Sequence, residues 1–228
     1  MKRRHVESHL DAWDKDYRIR GRLWGGITKD LADLPEGSVV LELGCGSGKT
    51  ISAMSGRPWK VIALDISSEA LRLSRQAASD IYLLLADACH LPFRDEVFDA
   101  VFAFHITGHQ LLEGRRVIAS EASRVLRIGG VLFFREFCED DMRAGRGEEV
   151  EPHTFRRGEG VITHYFTENE VSDLFCRLEA LSIRSHRWKM RIKGESLQRS
   201  EISAVLVKRT CSDRKSVSPE CSRYNDTP

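Results

Sequence analysis

Between positions 42 and 50 the chain reads Glu-Leu-Gly-Cys-Gly-Ser-Gly-Lys-Thr, with three glycines on alternate positions behind an acid. Glycine lets a backbone turn sharply and approach a partner where a Cβ would collide. Two kinds of nucleotide site use such loops. A phosphate cradle follows GxxxxGK[ST], whose wide loop wraps a phosphate in successive N–H groups. Counting back from Gly48, Lys49 and Thr50, its first glycine belongs at position 43, which is Leu43. The dinucleotide pattern GxGxxG accepts Gly44 and Gly46 but finds Lys49 where its third glycine belongs. The pattern that fits is acid-x-Gly-x-Gly-x-Gly, formed by Glu42, Gly44, Gly46 and Gly48. Such a loop suits a ligand without phosphates.

Three further features follow in order. Asp65 ends the apolar run "VIALD", where a carboxylate can accept from both hydroxyls of a ribose, as acids do at this place in dinucleotide folds. Asp87 and Ala88 follow "IYLLLA", and Phe104 and His105 close "FDAVFAFH". In this order and spacing the features resemble class I S-adenosylmethionine-dependent methyltransferases. The resemblance implies S-adenosylmethionine as cofactor. Its contacts would be Glu42, Gly44, Cys45, Gly46 and Gly48 around the methionine part, and Asp65 and Ile66 at the ribose. Asp87 would meet the adenine amine and the Ala88 N–H a ring nitrogen, with Phe104 and His105 beside the ligand.

These residues need a sheet to position them. "SVVLELG" (38–44), "KVIALD" (60–65), "IYLLLAD" (81–87), "FDAVFAFH" (98–105) and "GGVLFFREF" (129–137) are short apolar runs bounded by Gly, Pro or Asp, as buried strands are. Helical periodicity marks 67–78, with a Ser cap, and 111–127. This alternation predicts an α/β fold: a doubly wound, mostly parallel Rossmann-like sheet with right-handed crossovers. All four candidate strand ends then lie on its carboxyl edge, at the switch point where ligands bind. Residues 138–166 are polar and too long for a plain connector, which predicts a substrate loop or lid. Thr167 and Glu170 form a capping box opening a helix to 178. Runs 181–190 and 201–209 predict a closing antiparallel pair. The expected organisation is a helical, basic cap over 1–36, a methyltransferase domain over 37–209, and a disordered tail over 210–228, which lacks apolar content.

The composition of the 228 residues, 41% hydrophobic and 30% charged, is that of a globular chain. No apolar run approaches the roughly 18 residues of a membrane span, and no apolar stretch follows the charged N-terminus as a secretory signal requires. Six scattered cysteines without a CxxC pair predict reduced thiols and a cytoplasmic setting. No metal is expected: among His105, His109, His153, His164 and His186, no pair but His105 and His109, four apart, has helical spacing with an acidic third ligand beside it, and the chemistry needs none.

The segments outside the glycine loop narrow the resemblance. Gly129-Gly130, Arg135-Glu136-Phe137, Asp141-Met142, Arg157-Gly158-Glu159-Gly160 and Tyr165-Phe166-Thr167 resemble the methyltransferase-like enzymes that form 3-methylcytidine in tRNA, as do Trp13, Tyr17, Arg22 and Trp24 near the start. Ile128 stands for that family's proline, and Glu159 and Val161 for its Asp and Thr. The resemblance implies a tRNA partner, with a further protein to present it. Trp13 and Tyr17, one helical turn apart, would touch the cofactor, or else pin an N-terminal helix to the core. Glu136 or Asp141 would accept from the base amine as catalytic groups. Arg135 or Arg157 would hold the base carbonyl or a phosphate, and Arg22, Trp24 and Tyr165 would complete the substrate surface. The competing expectation is a small-molecule methyltransferase, with 138–166 as a lid and Phe133, Phe134, Phe137 and Phe155 lining an apolar pocket.

Overall fold

A computed structural model describes residues 9–21, 28, 31–157 and 160–210. Arg22, Trp24, Gly158, Glu159 and the tail from 211 onward lie outside the described residues. Helix α1 (His9–Arg20) precedes β1 (Val39–Leu43), α2 (Ile51–Met54), β2 (Lys60–Asp65), α3 (Ser68–Ala77), β3 (Tyr82–Leu85), β4 (Phe98–Phe104), α4 (Leu112–Val125) and β5 (Leu126–Phe137). Strands β6 (Glu148–Glu151), β7 (Thr154–Arg157) and β8 (Val161–His164), helix α5 (Glu168–Leu174), and β9 (Glu179–Ile192) and β10 (Glu195–Val207) follow.

Seven strands form the main sheet in the order β3-β2-β1-β4-β5-β10-β9. The first five are parallel, and β10 and β9 pair antiparallel at the far edge. Strands β1 and β4 are covered on both faces, which is why their sequences are apolar throughout rather than alternating: Val40, Leu41, Leu43, Val101 and Phe102 have no exposed surface. Leu41, Val101, Leu132 and Phe134 pack with α4 and α5 on one side; Val40, Ala63 and Phe102 pack with Ile51 and Met54 on the other. Strand order reverses between β1 and β4, so a crevice opens at their carboxyl ends. Helix α3 begins at the Ser67 cap, whose Oγ accepts from Ala70 N (3.1 Å) and donates to Asp14 of α1, so the capping group also fastens α1 to the rim.

The expected strands and helices are present, with shifted ends. Strand β5 starts at Leu126, directly at the end of α4, and α5 stops at Leu174. The larger departure is 138–166. In place of a lid-like loop it holds a second, three-stranded antiparallel sheet, β6-β7-β8. Its polar sequence concealed it, because charged and polar contacts do much to fasten the sheet to the core. Arg115 of α4 is 3% exposed and meets Glu151 (3.4 Å), Glu170 (3.8 Å) and the Gln110 carbonyl (2.9 Å). His164 lies 2.7 Å from both Thr154 Oγ1 and Glu170 Oε1. Cys45, Cys89 and Cys138 are free, but Cys176 is disulfide-bonded, which corrects the expectation of six reduced thiols. Among the described residues no helix is long and apolar enough to cross a membrane.

Removing one member of a buried ionic network leaves its partners uncompensated. Arg115→Leu is therefore expected to cost about 3 kcal/mol in chemical denaturation, and to expose the β6–β8 segment to proteolysis before the main sheet.

Candidate active site at the carboxyl rim

A cleft open to solvent lies at this rim. Trp13 and Tyr17 of α1, Gly44, Asp65, Ile66, Asp87, Ala88 and His105 line it. One turn of α1 brings the two aromatic rings together, 5.8 Å between centroids, and the edge of His109 meets Trp13 at 4.7 Å. The two proposed purposes of this pair are not exclusive, since the same rings that hold α1 to the rim also wall the cleft.

The glycine loop is shaped by protein neighbours. Gly44, Gly46 and Gly48 all have positive φ (67°, 55° and 91°). A Cβ on Gly44 would stand 2.9 Å from Ile106 Cδ1, and one on Gly46 would stand 2.7 Å from the Tyr17 hydroxyl. Gly46 and Gly48 do not themselves line the cleft. They let the loop bend so that Gly46 N–H donates to Asp65 Oδ2 at 2.8 Å. The other Asp65 oxygen accepts from Ser67 N at 2.9 Å. An ionised carboxylate has about four lone-pair sites, so Asp65 keeps capacity for a ligand hydroxyl. Burial pushes its pKa up to about 6, against these backbone donors.

Glu42 and Cys45 lie beneath the loop. Glu42 is 2% exposed, its Oε2 has no hydrogen-bond partner, and burial pushes its pKa up to about 8 despite a bond from Thr50. Cys45 is buried, and burial first, then Asp65 and Glu42, raise its thiol well above the ordinary range. Asp87 uses one oxygen to accept from Cys89 N (2.8 Å). Phe104 turns to the other side of the sheet, where it carries the Arg135 guanidinium at 4.6 Å.

His105 is in the left-handed conformation (φ 56°), with its ring stacked on Phe137 at 4.5 Å. Its Nε2 is 3.3 Å from Glu201 and its Nδ1 3.8 Å from Glu136. Burial lowers its pKa, opposed by Glu201 and reinforced by Arg135 and Lys49.

The two acids expected to meet a substrate amine have other partners. Glu136 is 1% exposed and lies outside the cleft lining; its Oε1 accepts from Gly108 N at 2.8 Å. It thereby holds the 3₁₀ turn Thr107–His109, the turn that presses Ile106 toward Gly44. Burial pushes its pKa up to about 8, against the backbone donors of that turn. Asp141 is 3% exposed and accepts from Arg199 Nε (2.6 Å) and Arg143 Nε (2.9 Å). Burial alone would raise its pKa, but the two arginines lower it. Arg157 Nη2 donates to the hydroxyl of Tyr165 at 2.8 Å, and Tyr165 is fully buried, so it presents no surface to a substrate. Arg135 and Glu136 alternate to opposite faces of β5, which separates them.

Leu64, Ala86, Ile106, His109, Gln110 and Ile118 also line the cleft. His109 carried a weak signal as a partner of His105. Ile118, on the inward face of α4, was legible as core but not as a wall. S-adenosylmethionine fits the character of this set: acids and a backbone N–H stand at the strand ends, two aromatic rings of α1 line the cleft, and the loop has no room for a Cβ. The unpartnered Glu42 oxygen stands beneath. Among the described residues, no group of three or more His, Cys, Asp or Glu could hold a metal.

Two outcomes are expected. Ligand hydroxyls need an ionised acceptor at Asp65, so donor affinity in calorimetry should fall as pH drops below about 6, by at most tenfold per pH unit. Asp65→Asn should bind more weakly and lose that pH dependence. Glu136 keeps a proton in the folded chain that the unfolded chain releases between its ordinary 4.5 and about 8. Its stability contribution is thus full below about 4.5 and weakens as pH rises toward 8. Wild type should lose stability relative to Glu136→Gln over that interval. Glu136→Leu, which strands the Gly108 N–H, should cost about 1–3 kcal/mol.

Comparison with known proteins agrees with this geometry. Residues 41–134 match the methyltransferase domain family. The tRNA N(3)-cytidine methyltransferase METTL2 of Gallus gallus is 28% identical over 169 residues, covering 66% of this chain and 46% of the relative. The demethylmenaquinone methyltransferase of Thermobifida fusca (strain YX) is 33% identical over 141 residues, 58% of each chain. The chain spans less than two thirds of the length of either relative. A SAM-dependent methyltransferase of Methanosarcina mazei superposes with a TM-score of 0.66 at 26% identity, covering 78% of this chain and 95% of that one. The matched domain, the seven-stranded sheet and the rim cleft are those of class I S-adenosylmethionine-dependent methyltransferases.

Proposed function

We propose that this protein methylates a tRNA base, at the ring N3 of a cytosine. The observation that carries the reading is the reach of the similarity. The match to the chicken tRNA enzyme runs over 169 residues, against 141 for the demethylmenaquinone enzyme and the 94 of positions 41–134, so it takes in more of the sequence outside the matched domain.

S-adenosylmethionine, when bound, supplies a methyl group already activated on a sulfonium. The chain's own residues then bind, orient and exclude water. Asp65 accepts from the ribose, held in register by Gly46 and Ser67 N–H. Asp87 and the Ala88 N–H face the purine edge. Trp13 and Tyr17 close the cleft with aromatic faces, which favour a neighbouring cation and keep solvent out. Glu42 organises the loop beneath the methionine part. The N3 of cytosine carries a lone pair at neutral pH, so alignment in place of a general base carries the rate, a gain worth about 7–11 kcal/mol in favourable systems. Glu136 and Asp141 act as positioning residues, the first through the 106–108 turn and the second through Arg143 and Arg199. Arg143 and Arg199 hold their guanidinium groups 3.9 and 5.1 Å from the Phe137 ring, which in turn stacks on His105.

The demethylmenaquinone relative favours a second reading, transfer to a small apolar ring. One assay separates them. Labelled methyl transfer should mark unmodified tRNA, and digestion should yield labelled 3-methylcytidine. Label entering a demethylquinone while tRNA stays unmarked would overturn the tRNA reading.

A further inference from the structure

Strands β9 and β10 pair with each other along almost their whole length, but β5 pairs with β10 only from Glu201 to Val207. Residues Glu195–Ser200 and their partners Arg187–Ile192 therefore have no strand partner but each other. They form a two-stranded arm of about 20 Å, at about 3.3 Å per residue. The pair Glu201–Phe137 marks the carboxyl end of β5, so the arm leaves the sheet at the rim that carries the cleft. A lone ribbon is marginal in water, and this one is braced at its base. Arg187 pairs with Asp140, Arg199 Nε with Asp141 (2.6 Å), and Met142 N donates to the Gln198 carbonyl (2.9 Å).

The chemistry of the arm is one-sided. Residues 186–199, "HRWKMRIKGESLQR", hold five Lys or Arg and one carboxylate, in a chain whose net charge is +1. Protecting an edge strand takes only an occasional charge. Register places Arg187, Lys189 and Arg191 on one face, opposite Ser200, Gln198 and Ser196. Alternate residues stand about 6.7 Å apart along a strand, a repeat comparable with successive phosphates of an extended single strand. Lys189, Arg191 and Lys193 are exposed. On the other face His186 and Trp188 stack at 5.6 Å and 23°, with the Arg199 guanidinium 5.7 Å from the indole. Cations in a row beside aromatic planes suit a polyanion that carries flat bases; an acidic protein would use the charges but not the stack.

We propose that the β9–β10 arm grips single-stranded RNA, with Lys189 and Arg191 on successive phosphates, Lys193 of the hairpin turn adding a cation at the tip, and the His186–Trp188 stack offering a platform for a base. The proposal rests on the tRNA reading above and adds where the strand is held: at the cleft rim, so that a nucleotide beyond the arm reaches the methyl donor.

The test uses the full chain, a fluorescent single-stranded RNA and an unmodified tRNA transcript, read by anisotropy across a salt series. Lys189→Gln, Arg191→Gln and Lys193→Gln together should weaken RNA binding by about tenfold or more and flatten the log–log salt slope by about 2, at about 0.7 per lost contact. Donor affinity by calorimetry should be unchanged. A control removing three exposed cations elsewhere, Lys60→Gln, Arg72→Gln and Arg94→Gln, should stay within about twofold of wild type. If the arm variant binds and methylates RNA like wild type, or the control loses as much as the arm variant, the arm proposal falls while the tRNA reading stands. If wild type neither binds nor methylates RNA, both fall. Binding to anionic phosphatidylglycerol vesicles that the arm variant loses, without RNA binding in wild type, would assign the arm to a membrane surface and overturn the proposal.

Discussion

The cleft depends on a hydrogen bond between a buried carboxylate and a backbone that only glycine can form. Asp65, at the end of β2, accepts from Gly46 N–H across the top of β1, and from Ser67 N–H at the start of α3. The first bond requires the loop to pass through left-handed conformations at Gly44, Gly46 and Gly48. An ordinary residue there would be strained and would strike Ile106, Tyr17 or Ala77. One side chain thus joins two strand ends and a helix start into the rim. The cost is a carboxylate held in a poorly hydrated place, visible as a pKa near 6. The residue that meets this structural need also lines the cleft.

A second buried acid plays the same part on the other wall. Glu136 fixes the 106–108 turn as Asp65 fixes the glycine loop, and the two meet where Ile106 touches Gly44. The left-handed His105 lies between this turn and Glu201 of β10. The peripheral strands are tied on by charge. Asp141 clamps the base of the arm through Arg199, and Arg115 ties the β6–β8 sheet to α4 and α5. Apolar burial builds the frame, and ionic contacts help attach the β6–β8 sheet and the β9–β10 arm. Such contacts are sensitive to single substitutions, since a stranded charge in a buried place is costly.

Much of the frame was legible in the residue order. Continuous apolar runs such as "VVLEL" occur where both faces of a strand are covered, and the spacing of Glu42, Gly44, Gly46, Gly48, Asp65 and Asp87 follows from each strand ending at one rim. The 138–166 sheet escaped because hydrophobic periodicity is the signal for a strand, and these strands are held by Arg115, His164, Glu151 and Glu170 instead. The directions of Glu136, Asp141 and Tyr165 escaped because an acid or a phenol has the same letter whether it faces a substrate or a backbone N–H.

What residue order determined by itself was the alternation of buried strands and amphipathic helices, hence the sheet, its rim and the acids and glycines there. These follow from local periodicity and from the conformations that only glycine adopts freely. Tertiary structure alone decided which acids are spent on holding turns, which aromatic rings wall the cleft, and that the last hairpin runs past β5 as an arm. Each of these depends on contacts between residues far apart in the chain, such as Gly46 with Asp65, Gly108 with Glu136 and Asp141 with Arg199, and no local pattern encodes a distance across space.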